Sequence, residues 1–499
     1  MPSIRRIKTA SGSTAIQVVY YRDRKLIVEK HIGSGKTDQE IESLVQKGKE
    51  WIIRHSLQED LFLETPENRV SLTELKFLGV SYRFAYQILK RAAIKCGLEI
   101  KEDGLLIDFA IMRLVEPTSK LRTIKLLDRY FDIVYSERTV YRKLLNLEGR
   151  KQSIEAIAVK CAKEMLQDDL ALILYDVTTL YFESFKPDEL RVEGFSKDNK
   201  PQQPQIVIGL IVTRQGFPLA YEVFAGNTFE GKTMLKALDN FITANRVNKP
   251  IVVADAAMLS QENIEELKKR NLFYIVGARL GNMSLKTIEL ARDKLQNENG
   301  KCIRIKTDSG CLVVDFSSER YRKDKKEMEK QILKAKHLVE TNQSGKRIKF
   351  VKHKEKEKQY ILNESLIEKS KLLLGMKGYH TNISETELSN QDIITRYHDL
   401  WHVEQAFRIA KSDLASRPVF HHKKEAVKSH ILICFTALII GKFLEINTNR
   451  SLRQVIDAIW SVTEAKLFDK STDKFFTLST EMNKTTMEIL EKINRFLSY

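Results

Sequence analysis

The chain has 499 residues, 42% of them hydrophobic and 30% charged, with a formal net charge of +17. That size supports several cores, and the excess positive charge favours a polyanionic partner, most simply nucleic acid. Five cysteines, at 96, 161, 302, 311 and 434, lack CxxC spacing, which argues against a zinc site or a disulfide framework. Arg5, Arg6 and Lys8 precede no apolar signal core, and the longest apolar run, Ile431 to Ile440, is too short to span a bilayer. The expectation is a soluble intracellular protein.

In chain order, residues 14–33 alternate as a short sheet, followed by the stretch HIGSGKTDQE. GSGKT resembles the end of a phosphate-binding loop, but the position that needs the first glycine is Lys30. The spacing therefore predicts a turn into a helix capped by Thr37 or Asp38. From Ser71 to Met165 the pattern is helical, and SERTVYRKLLNLEG, Ser136 to Gly149, reads as a capped basic helix. Arg138, Arg142 and Lys143 on it are candidates for DNA contact, although an ordinary solvated amphipathic helix fits equally.

At Ala171 the texture turns to strands: ALILYDVTTLYF, QPQIVIGLIVTRQ and FPLAYEVFAGN, the last two joined at Gln215-Gly216. Helix, PIVVADAAM, helix and LFYIVGARL follow, which predicts a mixed α/β sheet with crossovers. Residues 285–390 interrupt this order with strands KCIRIK, CLVVDF, RIKFVKH and KQYILN around a charged helix, Glu319 to Glu340. A helical part runs from near Asp392 to Tyr499.

Asp176 lies within an apolar strand and Asp255 ends another, where aspartate is poorly tolerated unless paired or bound to a cation. In YHDLWHVEQAFRIAKSDL, about 100° per residue sets Leu400, Val403, Phe407, Ala410 and Leu414 on one core-facing stripe. Tyr397, Trp401, Glu404, Arg408 and Lys411 form the adjoining stripe. Three converging carboxylates would suit Mg²⁺ or Mn²⁺, with two ions assisting phosphoryl displacement and Arg408 and Lys411 holding phosphates. Asp315 falls in a strand of the interrupting region and reads as structural, as do Asp168 and Asp169. Histidines 398, 402, 421, 422 and 430 have no further ligand cluster to join.

Tyr397, Glu404 and Lys411, with DVTTLYFES, VVADAAMLS and LASRPVFHH, resemble the DDE transposases of bacterial insertion sequences. The resemblance is to the subgroup with a tyrosine–arginine–glutamate–lysine signature, over roughly 105–445. Leu400 stands where that signature has Arg, and Arg408 is the nearest substitute. The resemblance implies a ribonuclease H-like core with a strand-rich insertion before the last acid. It implies metal ligation by Asp176, Asp255 and Glu404, and DNA contact by Tyr397 and Lys411. The expected activity is cleavage of element ends and strand transfer into target DNA, using two Mg²⁺ or Mn²⁺ ions. The partners would be double-stranded DNA and further copies of the chain on paired ends, with no membrane, in a bacterial cytoplasm at the nucleoid. A nuclease of the same fold without strand transfer, or a DNA-binding copy that has lost activity, remain alternatives. The expected divisions are a small β/α region over 1–60, a DNA-binding helical region over 70–165, a core over 170–284 and 391–445, the insertion over 285–390, and a helical end over 446–499.

Overall fold

The structure, a computed structural model, describes residues 2–22, 25–55, 73–183, 186–197, 200, 202–247, 250–258, 260–308, 310–341, 348–354, 359–421, 423–470 and 472–497. Ser71 and His422, among the positions singled out above, lie outside them. The chain forms two compact units, Met1–Leu75 with Asp469–Asp473, and Lys76–Phe468 with Lys474–Tyr499.

In the first unit, β1 (Ser3–Lys8), β2 (Thr14–Arg22) and β3 (Lys25–Gly35) make an antiparallel sheet beside helix α1 (Asp38–His55). Register shifts between Ile16 and Gln17, and between Val18 and Val19, let Ala15, Ile16, Val18 and Val19 all be buried despite strict alternation being broken. The GSG of GSGKT is strand, with Gly33, Ser34 and Gly35 opposite Ile16, Ala15 and Thr14. The Glu40 carboxylate accepts the Lys36 and Thr37 N–H groups, and the Thr37 hydroxyl accepts the Glu40 N–H, at 2.8, 3.2 and 3.3 Å. The amides that would cradle a phosphate are thus occupied by the helix's own capping box.

The second unit begins with β4 (Leu75–Ser81), where a helix was expected. Helices α2 (Arg83–Lys95), α3 (Ile100–Val115), α4 (Lys120–Phe131), α5 (Glu137–Asn146) and α6 (Lys151–Met165) follow, with Ser119 and Ser136 capping α4 and α5. Strands β5 (Leu172–Tyr181), β6 (Gln205–Thr213) and β7 (Pro218–Ala225) form a meander. Then come α7 (Thr233–Asn245), β8 (Ile251–Ala254), α8 (Gln261–Lys269), β9 (Phe273–Ala278) and α9 (Leu285–Leu295). Both β8 and β9 run parallel to β5.

The interrupting region comprises β10 (Cys302–Thr307), β11 (Gly310–Phe316), α10 (Ser318–Thr341), β12 (Val351–Lys354), β13 (Gln359–Leu362), α11 (Glu364–Leu372) and β14 (Met376–Thr381). Only the β12–β13 hairpin stands apart. The other three strands extend the main sheet, giving the order β10-β11-β14-β9-β8-β5-β6-β7. Strand β14, MKGYHT, has no counterpart among the expected strands, because a Lys, a Gly and a His hide its pattern. It is central, paired with β9 and β11, and largely buried.

The expected continuous helix over Tyr397–Leu414 is divided. Helix α12 (Asn390–His398) ends before Asp399, α13 (Trp401–Arg408) resumes, and a π-turn covers Ile409–Asp413. Helix α14 (Lys424–Thr448) has the length and composition of a membrane span, yet it is the buried centre of this unit, packed on α3, α15 (Leu452–Trp460) and α16 (Lys484–Leu497). The expected helical end also contains a hairpin, β15 (Glu464–Asp469) and β16 (Lys474–Ser479), whose β15 pairs with β4. LKFLGVS, EAKLFD and KFFTLS are short aromatic and aliphatic runs that form strands once they have each other as partners.

Candidate active site

Parallel pairing sets the first two acids side by side. Tyr175 of β5 is opposite Ala254 of β8, so Asp176 and Asp255 are the next residues on adjacent strands. Asp176 lies midway along β5, just past the stretch paired with β8, and Asp255 directly follows the carboxyl end of β8, where open α/β sheets place functional groups. Strand β5 carries no other charged residue and is otherwise buried up to its last position, and Asp176 is its one half-buried interior residue. Helix α13 packs against β5 and brings Glu404 to the same place. Asp176, Asp255 and Glu404 line a single cleft of about 680 Å³ with Lys197, Lys377 and Tyr397.

Each wall has a physical origin. Gly277 follows Val276, which is opposite Ala254, so the sheet carries no side chain beside Asp255. The space is filled by Tyr397, whose hydroxyl and ring carbon a Cβ at Gly277 would strike. From there the Tyr397 hydroxyl donates to Asp255 Oδ1 at 3.1 Å. Burial, then the Asp255 charge, holds the Tyr397 phenol in its neutral form well above its ordinary range. Lys377 of β14 lies 4.6 Å from the Tyr397 ring centre, and burial and the Arg320 guanidinium lower its pKa.

Asp176 is pushed up to about 6, chiefly by burial; Asp255 and Glu230 add to this, while Lys197 and the Val177 N–H oppose it. Lys197 is held by the Val177 carbonyl at 2.7 Å and by Glu230 at 3.0 Å. The carboxylates are thus crowded into a cleft with incomplete charge compensation. Among the described residues, no group of three His, Cys, Asp or Glu side chains is gathered so as to hold a metal ion. The donor set still consists of hard oxygens suited to Mg²⁺ or Mn²⁺.

The other expected residues are placed as follows. Leu400, Val403, Phe407 and Leu414 are buried, as their stripe requires, and Ala410 is half-buried. Leu400 packs along the cleft, so no side chain at that position offers a cation. Arg408 is exposed on α13 and does not line the cleft, and Lys411 lines a separate small apolar cavity, because the π-turn rotates it out of register. The cleft's cations are instead Lys197, from a loop, and Lys377, from the unexpected strand β14. Neither has a helical or alternating pattern around it that would have marked it. Arg138, Arg142 and Lys143 are exposed on α5, whose Val140 and Leu144 face the core. Asp315 is paired with Arg320 and the Tyr379 hydroxyl, while Asp168 and Asp169 accept the Leu170 and Ala171 N–H groups ahead of β5.

The sequence profile of the transposase DDE domain matches residues 169–440, more than half of the chain, and the protein belongs to that family. No curated protein matches it in sequence. Among solved structures, the cryo-EM structure of a piggyBac transposase synaptic complex with hairpin DNA aligns over 84% of this chain and 79% of that one. Identity there is 10% and the TM-score 0.38, so that likeness carries no argument.

Proposed function

We propose that the chain is a DNA transposase that cuts at the ends of an insertion sequence and joins them to target DNA, with Asp176, Asp255 and Glu404 holding two Mg²⁺ or Mn²⁺ ions. The observation that carries this reading is the β5–β8 register, which makes Asp176 and Asp255 neighbours in the cleft that Glu404 also lines. Bound there, divalent ions would supply activation of the attacking oxygen and stabilisation of the departing one. Tyr397 fixes the rotamer of Asp255, and Lys197 offsets part of the charge on Asp176. Lys377 and the exposed Trp401 face the same cleft and are placed to meet the strand being cut. The order β7-β6-β5-β8-β9, with the last two strands parallel to β5, supports a ribonuclease H-like core. Exposed Arg138, Arg142, Lys143 and Arg408 are proposed contacts to DNA phosphates, a role that the net charge of +17 supports. Action on paired ends calls for more than one copy, in a bacterial cytoplasm.

The test incubates the chain with DNA from the flanking inverted ends and Mg²⁺, beside D176N, D255N and E404Q. The expected result is joined product from the unaltered chain only, with each variant reduced by about 10³-fold, the equivalent of several kcal/mol of lost stabilisation. Cleavage without joining would favour the nuclease. DNA binding with neither reaction would favour a copy without activity.

A further inference from the structure

Away from the carboxylate cleft, the structure buries two cationic side chains around a histidine, with no acid among them. Arg113 near the end of α3, Lys120 at the start of α4 and His430 in α14 are 8%, 5% and 3% exposed. Lys120 Nζ and Arg113 Nη2 lie 3.2 and 3.5 Å from the same atom, His430 Nδ1. His430 Nε2 faces the Ser416 carbonyl oxygen at 3.1 Å, and since a carbonyl only accepts, Nε2 carries the proton. One lone pair, on Nδ1, is therefore offered to two cationic donors. Arg113 Nη1 reaches the Leu414 and Ala415 carbonyls at 3.4 and 3.3 Å. Among the described residues neither Arg113 nor Lys120 forms an ion pair with a carboxylate. Burial, with Arg113 beside it, pushes the Lys120 ammonium down to about 7. Buried charge without a counter-charge opposes folding, so an arrangement of this kind calls for an anion from outside.

There is room for one. Arg113, Lys120 and His430 line a cavity of about 350 Å³, none of whose lining residues belongs to the carboxylate cleft. Leu121, Tyr141 and Phe420 also line it and are 43%, 44% and 66% exposed, so the cavity opens to solvent. The segment from Pro117 to Leu121, which leads through the Ser119 cap into α4, forms one wall and adds the positive end of a helix. Tyr141 belongs to α5, the helix that exposes Arg138, Arg142 and Lys143.

We infer that this cavity, built from Arg113, Lys120, His430 and the start of α4, binds a phosphate group. Arg113 and Lys120 are the donors to the anion, while His430, whose Nε2–H is taken by the Ser416 carbonyl, positions them through Nδ1. The continuity with α5 assigns that phosphate to the backbone of bound DNA, a source that rests on the DNA-processing function proposed above. Two stretches of sequence without a role in the cleft, VEPTSKL and LASRPVF, thereby acquire one.

The full chain is melted in inorganic phosphate and in chloride at matched ionic strength, beside Lys120→Met, which keeps the volume and removes the charge. Phosphate is expected to raise the melting temperature of the unaltered chain with concentration and to leave K120M unmoved. Equal responses in both chains, or none specific to phosphate, would overturn the site. Broadening of the ³¹P resonance of phosphate by the unaltered chain reads the same binding without any substitution, and its absence counts equally against it. The DNA arm measures affinity for a generic duplex against salt. The slope is expected to fall by about 1 in K120M, as for loss of one phosphate contact. An unchanged slope overturns the DNA source and leaves the cavity to free phosphate. Neither arm reads cleavage, so this site and the catalytic reading can fail separately.

Discussion

Tyr397 can reach Asp255 only because position 277 has no side chain. Gly277→Ala is expected to destabilise the chain by about 1–3 kcal/mol through overpacking. Tyr397→Phe removes one hydrogen bond and should cost only about 0.5–1.5 kcal/mol. Urea unfolding of the two variants checks this order, and a harmless G277A would refute the close packing. Lys120 gives a pH dependence of definite sign. Its ammonium titrates near 7 in the folded chain and near 10.5 when unfolded, so between those values the unfolded state binds more protons. Stability without phosphate should therefore rise with pH across that window, on the order of 1 kcal/mol per unit. The groups facing Lys120 are Arg113, His430 and Cys434, and His421 stands beside His430. In K120M the rise should flatten; a rise that persists there would trace to another group.

Among the secondary-structure elements, β5 and β8 could be read from sequence because each is a largely apolar run, with Asp176 the one charged residue inside β5 and Asp255 directly after β8. The stripe of α13 was legible for the same reason, since 3.6-residue periodicity sorts Leu400, Val403 and Phe407 from Glu404. What sequence could not show was set by partners far along the chain. Strand β14 exists because β9 and β11 flank it, and with it comes Lys377. The π-turn after Arg408 shifts Lys411, and no local pattern announces it. GSGKT illustrates a local rule that served in part: the missing glycine at Lys30 argued against a phosphate loop and Glu40 takes the amides, but the GSG expected as a turn is strand. Lys36→Ala should then change stability by no more than about 0.5 kcal/mol, and ATP should not shift the melting temperature. A clear shift with ATP would restore a nucleotide site there.

On the scale of the whole molecule, the second unit joins the α2–α6 helices, the eight-stranded sheet and the α14–α16 helices into one compact body. Helix α14 holds it together, and its apolar length serves that core. Net charge cannot say where DNA lies, but it sets how binding responds to salt. Affinity for generic duplex should fall about tenfold or more between 50 and 200 mM salt, and a flat response would argue against phosphate-dominated contact. The most direct measurement is electron paramagnetic resonance of Mn²⁺ titrated into the unaltered chain and into D176N, D255N and E404Q. Bound Mn²⁺ weakened about tenfold or more in each variant is the predicted result. Binding that is unchanged in all three would show that these carboxylates do not share an ion.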